Sequence, residues 1–412
     1  MKIEKEKIVY IKSEFKKMQK RQELLALLNF ANSILYGDNY IPFQLRHITY
    51  YSFSNNSRKA YKEFKIKKKS GAERVIYAPE KLLKAIQKSL ALILQCVYEP
   101  HVAATGFVMG KSIVDNAKKH TEQNHVYNID LKDFFPSIDQ ARVWACLKLY
   151  PFNLNNTFSQ SKFKNTQELK HPMNSHLKLA NIIANLVCTE MQVERKDDEG
   201  NWLKVKRNVL PQGAATSPIL SNVVCQKLDH RLTGLAKRFN LNYTRYADDI
   251  TFSSMHNVYQ VNSPFLTELT RIIEDQNFNI KESKTRLQKT GYRQEVTGLI
   301  VNEKVNVRNS YVKQIRMWLY YWEKYGHDKA ESIFLRDYMV DKGHVKKAKP
   351  NFQHVLSGKL QYLKMVKGFE NATYVALNNR LAKLCGHVNT VDAVLNEWEN
   401  NGIESAMKIY KR

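Results

Sequence analysis

Arg245-Tyr246-Ala247-Asp248-Asp249-Ile250-Thr251-Phe252-Ser253 places two adjacent carboxylates inside a run of aromatic and β-branched residues. Two neighbouring Asp would make a poor strand centre, but at a hairpin tip they are acceptable, because Asp tolerates turn geometry. Residues 243–252 therefore read as a tight hairpin with Ala247, Asp248 and Asp249 at its tip. Taken alone, a solvated turn accounts for such a pair. The balance changes with a second acidic stretch, Asn128-Ile129-Asp130-Leu131-Lys132-Asp133-Phe134-Phe135-Pro136-Ser137-Ile138. There Asp130 ends a short apolar strand, 126–131, that runs into a turn and a helix beyond Pro136. Phosphoryl transfer by two metals needs carboxylates from separate segments gathered around a pair of ions. Mg²⁺ takes one or two protein carboxylates and completes its shell with water and substrate phosphates. An Asp ending one strand and an Asp at a neighbouring hairpin tip supply that arrangement. Asp130 and Asp248 would bridge two Mg²⁺ ions, with Asp249 a weaker or indirect ligand.

Outward from these two stretches, residues 1–35 read as helical and are closed by Gly37. Residues 64–77 read as a hairpin with Lys-Lys-Lys-Ser-Gly-Ala-Glu-Arg at its tip, stopped by Pro79. Leu82, Leu83, Ile86, Leu90 and Ile93 recur at helical spacing. Residues 140–190 read mostly as helix around a polar loop near 153–165. A second hairpin is expected at 190–210, where Asp197-Asp198-Glu199-Gly200-Asn201 separates two polar–apolar alternations. Residues 220–239 read as one helix. From Ser310 onward Tyr311, Ile315, Trp318, Leu319 and Trp322 share one apolar face. Strands mixed with long helices imply an α+β protein with a helical C-terminal lobe.

The bulk composition bounds the partner. The chain has 412 residues, enough for two or three lobes, with 65 Lys plus Arg against 39 Asp plus Glu and a net charge of +26. Such an excess repels itself in a compact fold and calls for a polyanion. Nucleic acid is the first candidate, since each neutralised phosphate releases a counterion. The basic residues are spread along the chain, no run of eighteen apolar residues exists, and the start carries no signal-peptide core, so a membrane partner is not expected and a cytoplasmic location is. Cys96, Cys146, Cys188, Cys225 and Cys385 are scattered, without a C-x-x-C pair, which argues against a disulfide framework or a zinc site.

Tyr-Ala-Asp-Asp at 246–249 resembles the catalytic box of reverse transcriptases. The 128–138 stretch resembles the strand motif that precedes it. Leu-Pro-Gln-Gly-Ala-Ala-Thr-Ser-Pro-Ile-Leu-Ser-Asn at 210–222 resembles the nucleotide-pocket motif between them. Their order and separation match the family, from the 60s to beyond 300. Asn116-Ala117-Lys118-Lys119-His120 and Val296-Thr297-Gly298 resemble signatures of the retron branch, as does 354–368 its thumb. After Asn306, 412 − 306 = 106 residues remain, enough for a thumb and a short extension but not for a ribonuclease H domain.

The resemblance implies a right-hand polymerase. An N-terminal helical extension and fingers would occupy 1–125. A palm with a fingers insertion around 140–210 would occupy 126–306, and a helical thumb with a C-terminal extension 307–412. It implies metal ligands at Asp130, Leu131, Asp248 and Asp249. Phe135 would be an aromatic gate under the sugar of the incoming dNTP, and Asp133 and Phe134 would offer backbone N–H groups to the triphosphate. Gln212 would line the nucleotide pocket, with Gly213 letting the backbone come close, although Thr216-Ser217-Pro218 has helix-capping chemistry of its own. Arg74 would clamp the triphosphate through its planar fork, with Lys67, Lys68 and Lys69 either helping or forming a solvated tip. Lys284 would protonate the leaving pyrophosphate; a plain surface lysine is the alternative. Asn116, Ala117, His120, Val296, Thr297 and Gly298 would take part in RNA recognition, against the plainer readings of a packed histidine and a strand-end glycine. Lys313, Arg316 and Lys324 would suit duplex phosphates.

As a retron enzyme the chain would reverse transcribe its own structured noncoding RNA from a 2′ hydroxyl. The product would be a branched RNA–DNA hybrid, multicopy single-stranded DNA, serving antiphage defence with a separate effector protein. Two other readings stand beside this one: another bacterial defence or group II intron-like reverse transcriptase, and a catalytically silent RNA-binding scaffold. Intact Asp130, Asp248 and Asp249 argue against the last.

Overall fold

The computed structural model describes residues 3–53, 60–67, 71, 73–154, 175–197, 199–342, 349–385 and 407. The chain divides into two compact units, the first reaching Tyr292 and the second starting at Arg293. Residues 293–306, expected with the middle of the chain, thus group with the C-terminal helices. The reason is local: Arg308 donates to the buried Glu295 at 2.6 Å, and Ile300 and Asn306 exchange backbone hydrogen bonds.

In the first unit the N-terminal helical region is two helices, α1 (Lys5–Lys17) and α2 (Arg21–Tyr36). They part where Met18 turns extended and the Glu23 carboxylate accepts from the Gln19 and Lys20 N–H groups. Gly37, at φ 58°, ends α2 as expected. These two helices pack on α4 (Lys81–Val97), whose Leu83, Ile86, Leu90 and Ile93 are fully buried, while α3 (Leu45–Ser52) packs on the helix at 175–187. Between them β1 (Tyr61–Lys67) pairs with β2 (Glu73–Pro79), and the lysine-rich tip of this hairpin lies largely outside the described residues. α5 (Ile113–Lys118) follows.

The central sheet is antiparallel, in the order β6-β7-β3-β8, formed by β3 (His125–Asp130), β6 (Asn242–Tyr246), β7 (Asp249–Ser254) and β8 (Arg286–Lys289). Side chains alternate between its faces. Register places Tyr127, Phe252 and Tyr243 in one row and Ile129, Ile250 and Arg245 in the next, all on the core face. Helix α10 (Pro264–Asp275) covers that face, with Phe265 edge-on to Phe252 at 5.2 Å between ring centres. The opposite face carries Asn128, Thr251 and Thr244, then Asp130, Asp249 and Tyr246.

Helices α6 (Gln140–Leu147) and α7 (Ser175–Val187) flank a loop that is mostly outside the described residues. The second hairpin is β4 (Thr189–Lys196) with β5 (Trp202–Val209). It is fastened to the turn after β3: Arg195 reaches Asp139 and the Pro136 carbonyl, both at 2.7 Å, and Lys132 reaches Glu194 at 2.9 Å. The helix expected over 220–239 is two, α8 (Ser217–Val224) and α9 (Gln226–Arg238), turning at Cys225. The break lets α8 bury almost every side chain beneath the site while α9 keeps an exposed polar face.

The second unit opens with β9 (Glu295–Val296) and β10 (Leu299–Ile300), joined by Thr297 and Gly298 at φ 48° and 82°. Four helices follow: α11 (Asn309–Tyr325), α12 (His327–Lys342), α13 (Phe352–Lys367) and α14 (Ala372–Leu384). Trp318 is packed edge-on against Phe334 and Phe352, and both Trp318 and Trp322 are core. Lys313, Arg316 and Lys324 are exposed on α11. All five cysteines are free, and among the described residues no helix is long and apolar enough to cross a membrane.

Candidate active site

Strand pairing brings the acidic residues together. Asp130, the last residue of β3, lies directly opposite Asp249, the first of β7, and the Leu131 N–H donates to the Asp248 carbonyl at 3.1 Å. The hairpin tip is thus Ala247-Asp248, one residue tighter than expected, with Asp249 already in the strand. Ala247 adopts φ 58°, a conformation that glycine usually fills in two-residue hairpins. On the other flank of β3 the Lys281 N–H donates to the Asp130 carbonyl, and the following turn aims Lys284 Nζ at Asp130 Oδ2, 2.5 Å away.

The carboxylates strain against one another. Burial, and then the charge of Asp130, push the Asp248 carboxyl above its ordinary range, against the pull of Lys284 and Arg74. Asp249 is pushed up to about 6 by burial and by the charges of Asp248 and Asp130. Its side chain still meets water at the hairpin edge, which screens part of that repulsion. A site that crowds three acids while a lysine ammonium stands on one of them fits a divalent cation. Among the described residues no three His, Cys, Asp or Glu side chains close into a cage by themselves. An ion here would therefore draw further ligands from water and phosphate, as Mg²⁺ does. The Leu131 side chain is buried in the core, which leaves only its backbone carbonyl as a donor.

Beside the acids is a cleft of about 260 Å³ lined by Arg74, Tyr77, Asp133, Glu194, Arg195 and Gln212, among others. Asp133 stands at φ 45° in the turn after β3. Among the described residues none accepts from the N–H groups of Asp133, Phe134 or Phe135, whereas those of Ser137 and Ile138 are taken. Phe134 itself is core, stacked on Phe278 at 5.6 Å, which leaves only its backbone N–H as a donor. Phe135 is half-buried, with Phe107 6.1 Å away on its far side. Gln212 accepts from the Tyr77 N–H at 2.9 Å. A Cβ on Gly213 would stand 2.6 Å from the Tyr77 carbonyl oxygen. The close approach that this glycine allows is therefore to β2, which carries Arg74.

The motif at 116–120 is placed differently from a surface recognition element. Asn116, Ala117 and His120 are completely buried. Asn116 accepts from the Thr105 hydroxyl at 2.7 Å, and the His120 ring bridges Ser253 and Thr244, each at 2.7 Å. Burial, helped by Lys119, lowers the His120 pKa to about 3 and keeps the ring neutral. These side chains touch protein, so an RNA role for them is restricted to what they position. Val296, Thr297 and Gly298 form the β9–β10 turn of the second unit.

Sequence reasoning missed the segment at 103–107, which lies along the free edge of β6. Thr105 N–H donates to the Arg245 carbonyl and Arg245 N–H to the Ala103 carbonyl, both at 2.9 Å. It also missed a buried cluster of Arg245, Asp229, Asn222 and Tyr243 beneath the turn. A signal was present: strand alternation puts Arg245 on the same face as Tyr243 and Ala247, where a charge needs a buried partner.

Residues 66–307 match the family model described as reverse transcriptase (RNA-dependent DNA polymerase). The retron Mx162 reverse transcriptase of Myxococcus xanthus is 35% identical over 59% of this chain and 47% of its own. For retron Mx65 of the same organism the figures are 31%, 74% and 61%. For retron Ec86 of Escherichia coli they are 30%, 62% and 68%. The chain thus spans about half to two thirds of these relatives. Among solved structures, telomerase from Candida albicans with a fragment of telomeric RNA aligns over 90% of this chain and 71% of that one, at 14% identity and a TM-score of 0.39, too loose a likeness to argue from. The match across most of the first unit, with the carboxylates at the end of β3 and in the β6–β7 hairpin, shows that the chain belongs to the reverse transcriptase family, in its retron branch.

Proposed function

We propose that the chain is an RNA-directed DNA polymerase that extends a primer on its own structured noncoding RNA. The observation that carries this is the meeting of Asp130, Asp248 and Asp249 at one end of the two central strands, beside a cleft lined by Arg74 and Gln212. Asp130 and Asp248 would hold two Mg²⁺ ions, with Asp249 and the Leu131 carbonyl alongside. Bound there, the ions supply charge stabilisation to the transferring phosphoryl group. The chain's own groups do the rest. Arg74 and the free N–H groups at 133–135 bind the triphosphate. Phe135, backed by Phe107, closes the space under the sugar and excludes a 2′ hydroxyl. Lys284, held beside Asp130, would hand a proton to the departing pyrophosphate.

The sheet and its acids form a palm, the parts before it the fingers, and the second unit a thumb. By resemblance to the retron branch, priming would start from a 2′ hydroxyl, the product would be a branched RNA–DNA hybrid, and the role would be antiphage defence with a separate effector protein. The test is to express the chain with its adjacent upstream DNA, beside Asp248→Asn, and isolate small nucleic acids. DNA joined to RNA is expected with the native chain and not with the variant. If the native chain yields no hybrid but copies primed RNA, the polymerase reading stands and the branched product falls.

A further inference from the structure

Arg245 is completely buried, and a charge in that position is costly unless it is paired. Each of its three side-chain nitrogens has a partner. Nε and Nη2 grip the two Asp229 oxygens at 2.8 and 2.6 Å, and Nη2 also donates to Asn222 Oδ1 at 3.1 Å. The remaining arm, Nη1, donates to the Ala247 carbonyl at 3.1 Å. Well-packed apolar residues commonly replace such an ion pair without loss of stability, so stability alone is a weak reason for it. What it holds is more specific. Ala247 sits at φ 58°, a left-handed conformation that a residue with a Cβ adopts only under constraint. The guanidinium arm secures that conformation from below.

A second pin acts from the side. A Cβ on Gly106 would stand 2.5 Å from the Ala247 nitrogen, so the 103–107 segment lies directly on the turn. Asn222 joins the two pins, accepting from Arg245 and donating through Nδ2 to the Gly106 carbonyl at 2.9 Å. The Thr105 hydroxyl, donating to Asn116, ties the buried 116–120 motif into the same frame. Asp248 is the next residue along the turn.

We propose that Arg245, Asp229 and Asn222 form a positioning device for the catalytic turn, setting Asp248 against Asp130 and thereby the affinity of the site for divalent metal. This rests on the reading of those two acids as metal ligands. None of the three touches substrate; they act through Ala247.

The test uses the full chain, with Asn222→Ala and Arg245→Lys. Asn222→Ala leaves the ion pair in place and cuts the link between the pins. Ile272→Val, in α10, is a control for mild loss of stability. Mn²⁺ binding is read by electron paramagnetic resonance without nucleotide, and primer extension gives kcat, the dNTP KM and the active fraction. Both variants are expected to bind Mn²⁺ about 10–100-fold more weakly, the usual range when groups supporting a metal site are removed. The kcat should fall, the dNTP KM and duplex affinity should stay near native, and raised metal should restore Asn222→Ala. Native metal affinity in Asn222→Ala, or an equal loss in Ile272→Val, would overturn the proposal in favour of general support of the fold. A native chain that neither binds Mn²⁺ nor extends a primer would instead overturn the functional reading beneath it.

Discussion

Asp248 and Asp249 are neighbours in sequence yet occupy different environments, one in a hairpin turn and one opening a strand opposite Asp130. Without a cation their charges work against folding. Asp249, with its pKa raised from 3.8 to about 6, contributes stability below its unfolded pKa that is lost as pH rises through the folded one. Asp249→Asn should therefore raise the melting temperature of the metal-free chain at neutral pH and shrink the further rise that Mg²⁺ gives, both checked by thermal denaturation. His120 has the opposite sign. Its folded pKa near 3 lies below the ordinary 6.5, so the unfolded chain takes up a proton that the folded chain refuses. Its contribution is complete above 6.5 and falls away as pH drops below it, by up to ~1.4 kcal/mol per pH unit. His120→Asn should flatten that acid limb in denaturant titrations across the window.

At the level of elements, the site depends on two backbones pressed close together at Gly106 and Gly213. An added methyl group would meet backbone atoms at 2.5 Å in the first case and 2.6 Å in the second. Gly106→Ala and Gly213→Ala should each cost about 1–3 kcal/mol, as overpacking does. They should differ in function: Gly106→Ala disturbs the catalytic turn and lowers kcat, while Gly213→Ala shifts β2 with Arg74 and raises the dNTP KM. Steady-state kinetics beside thermal melts check both. The strands and turns that carry the acids were legible in the sequence because each couples a local pattern, an apolar run, to a turn-tolerant Asp. The burial of His120 and the strand-like path of 103–107 were not, since each depends on a partner far away in sequence, and the helix break at Cys225 has no Gly or Pro beside it to announce it. His120, for example, is fixed by Thr244 and Ser253, more than a hundred residues on.

For the whole molecule, the net charge of +26 states what kind of partner it meets but not where. Affinity for RNA should fall steeply between about 50 and about 200 mM salt, with a log–log slope of roughly −4 if about six phosphates of a single strand are neutralised. Filter binding over that range measures it, and Lys313→Gln with Arg316→Gln should make the slope shallower if α11 faces the duplex. Length conveyed more than one lobe and the mixture of strands and helices an α+β chain, while the boundary at Tyr292 was not announced by any pattern. The measurement that bears most directly on the central claim is extension of a DNA primer annealed to RNA by the purified chain with dNTPs. The assignment of Asp130 and Asp248 as metal ligands predicts Mg²⁺-dependent extension that EDTA stops and that Asp248→Asn reduces by several orders of magnitude while RNA binding persists. Undiminished extension by Asp248→Asn, or RNA binding without extension by the folded native chain, would contradict it.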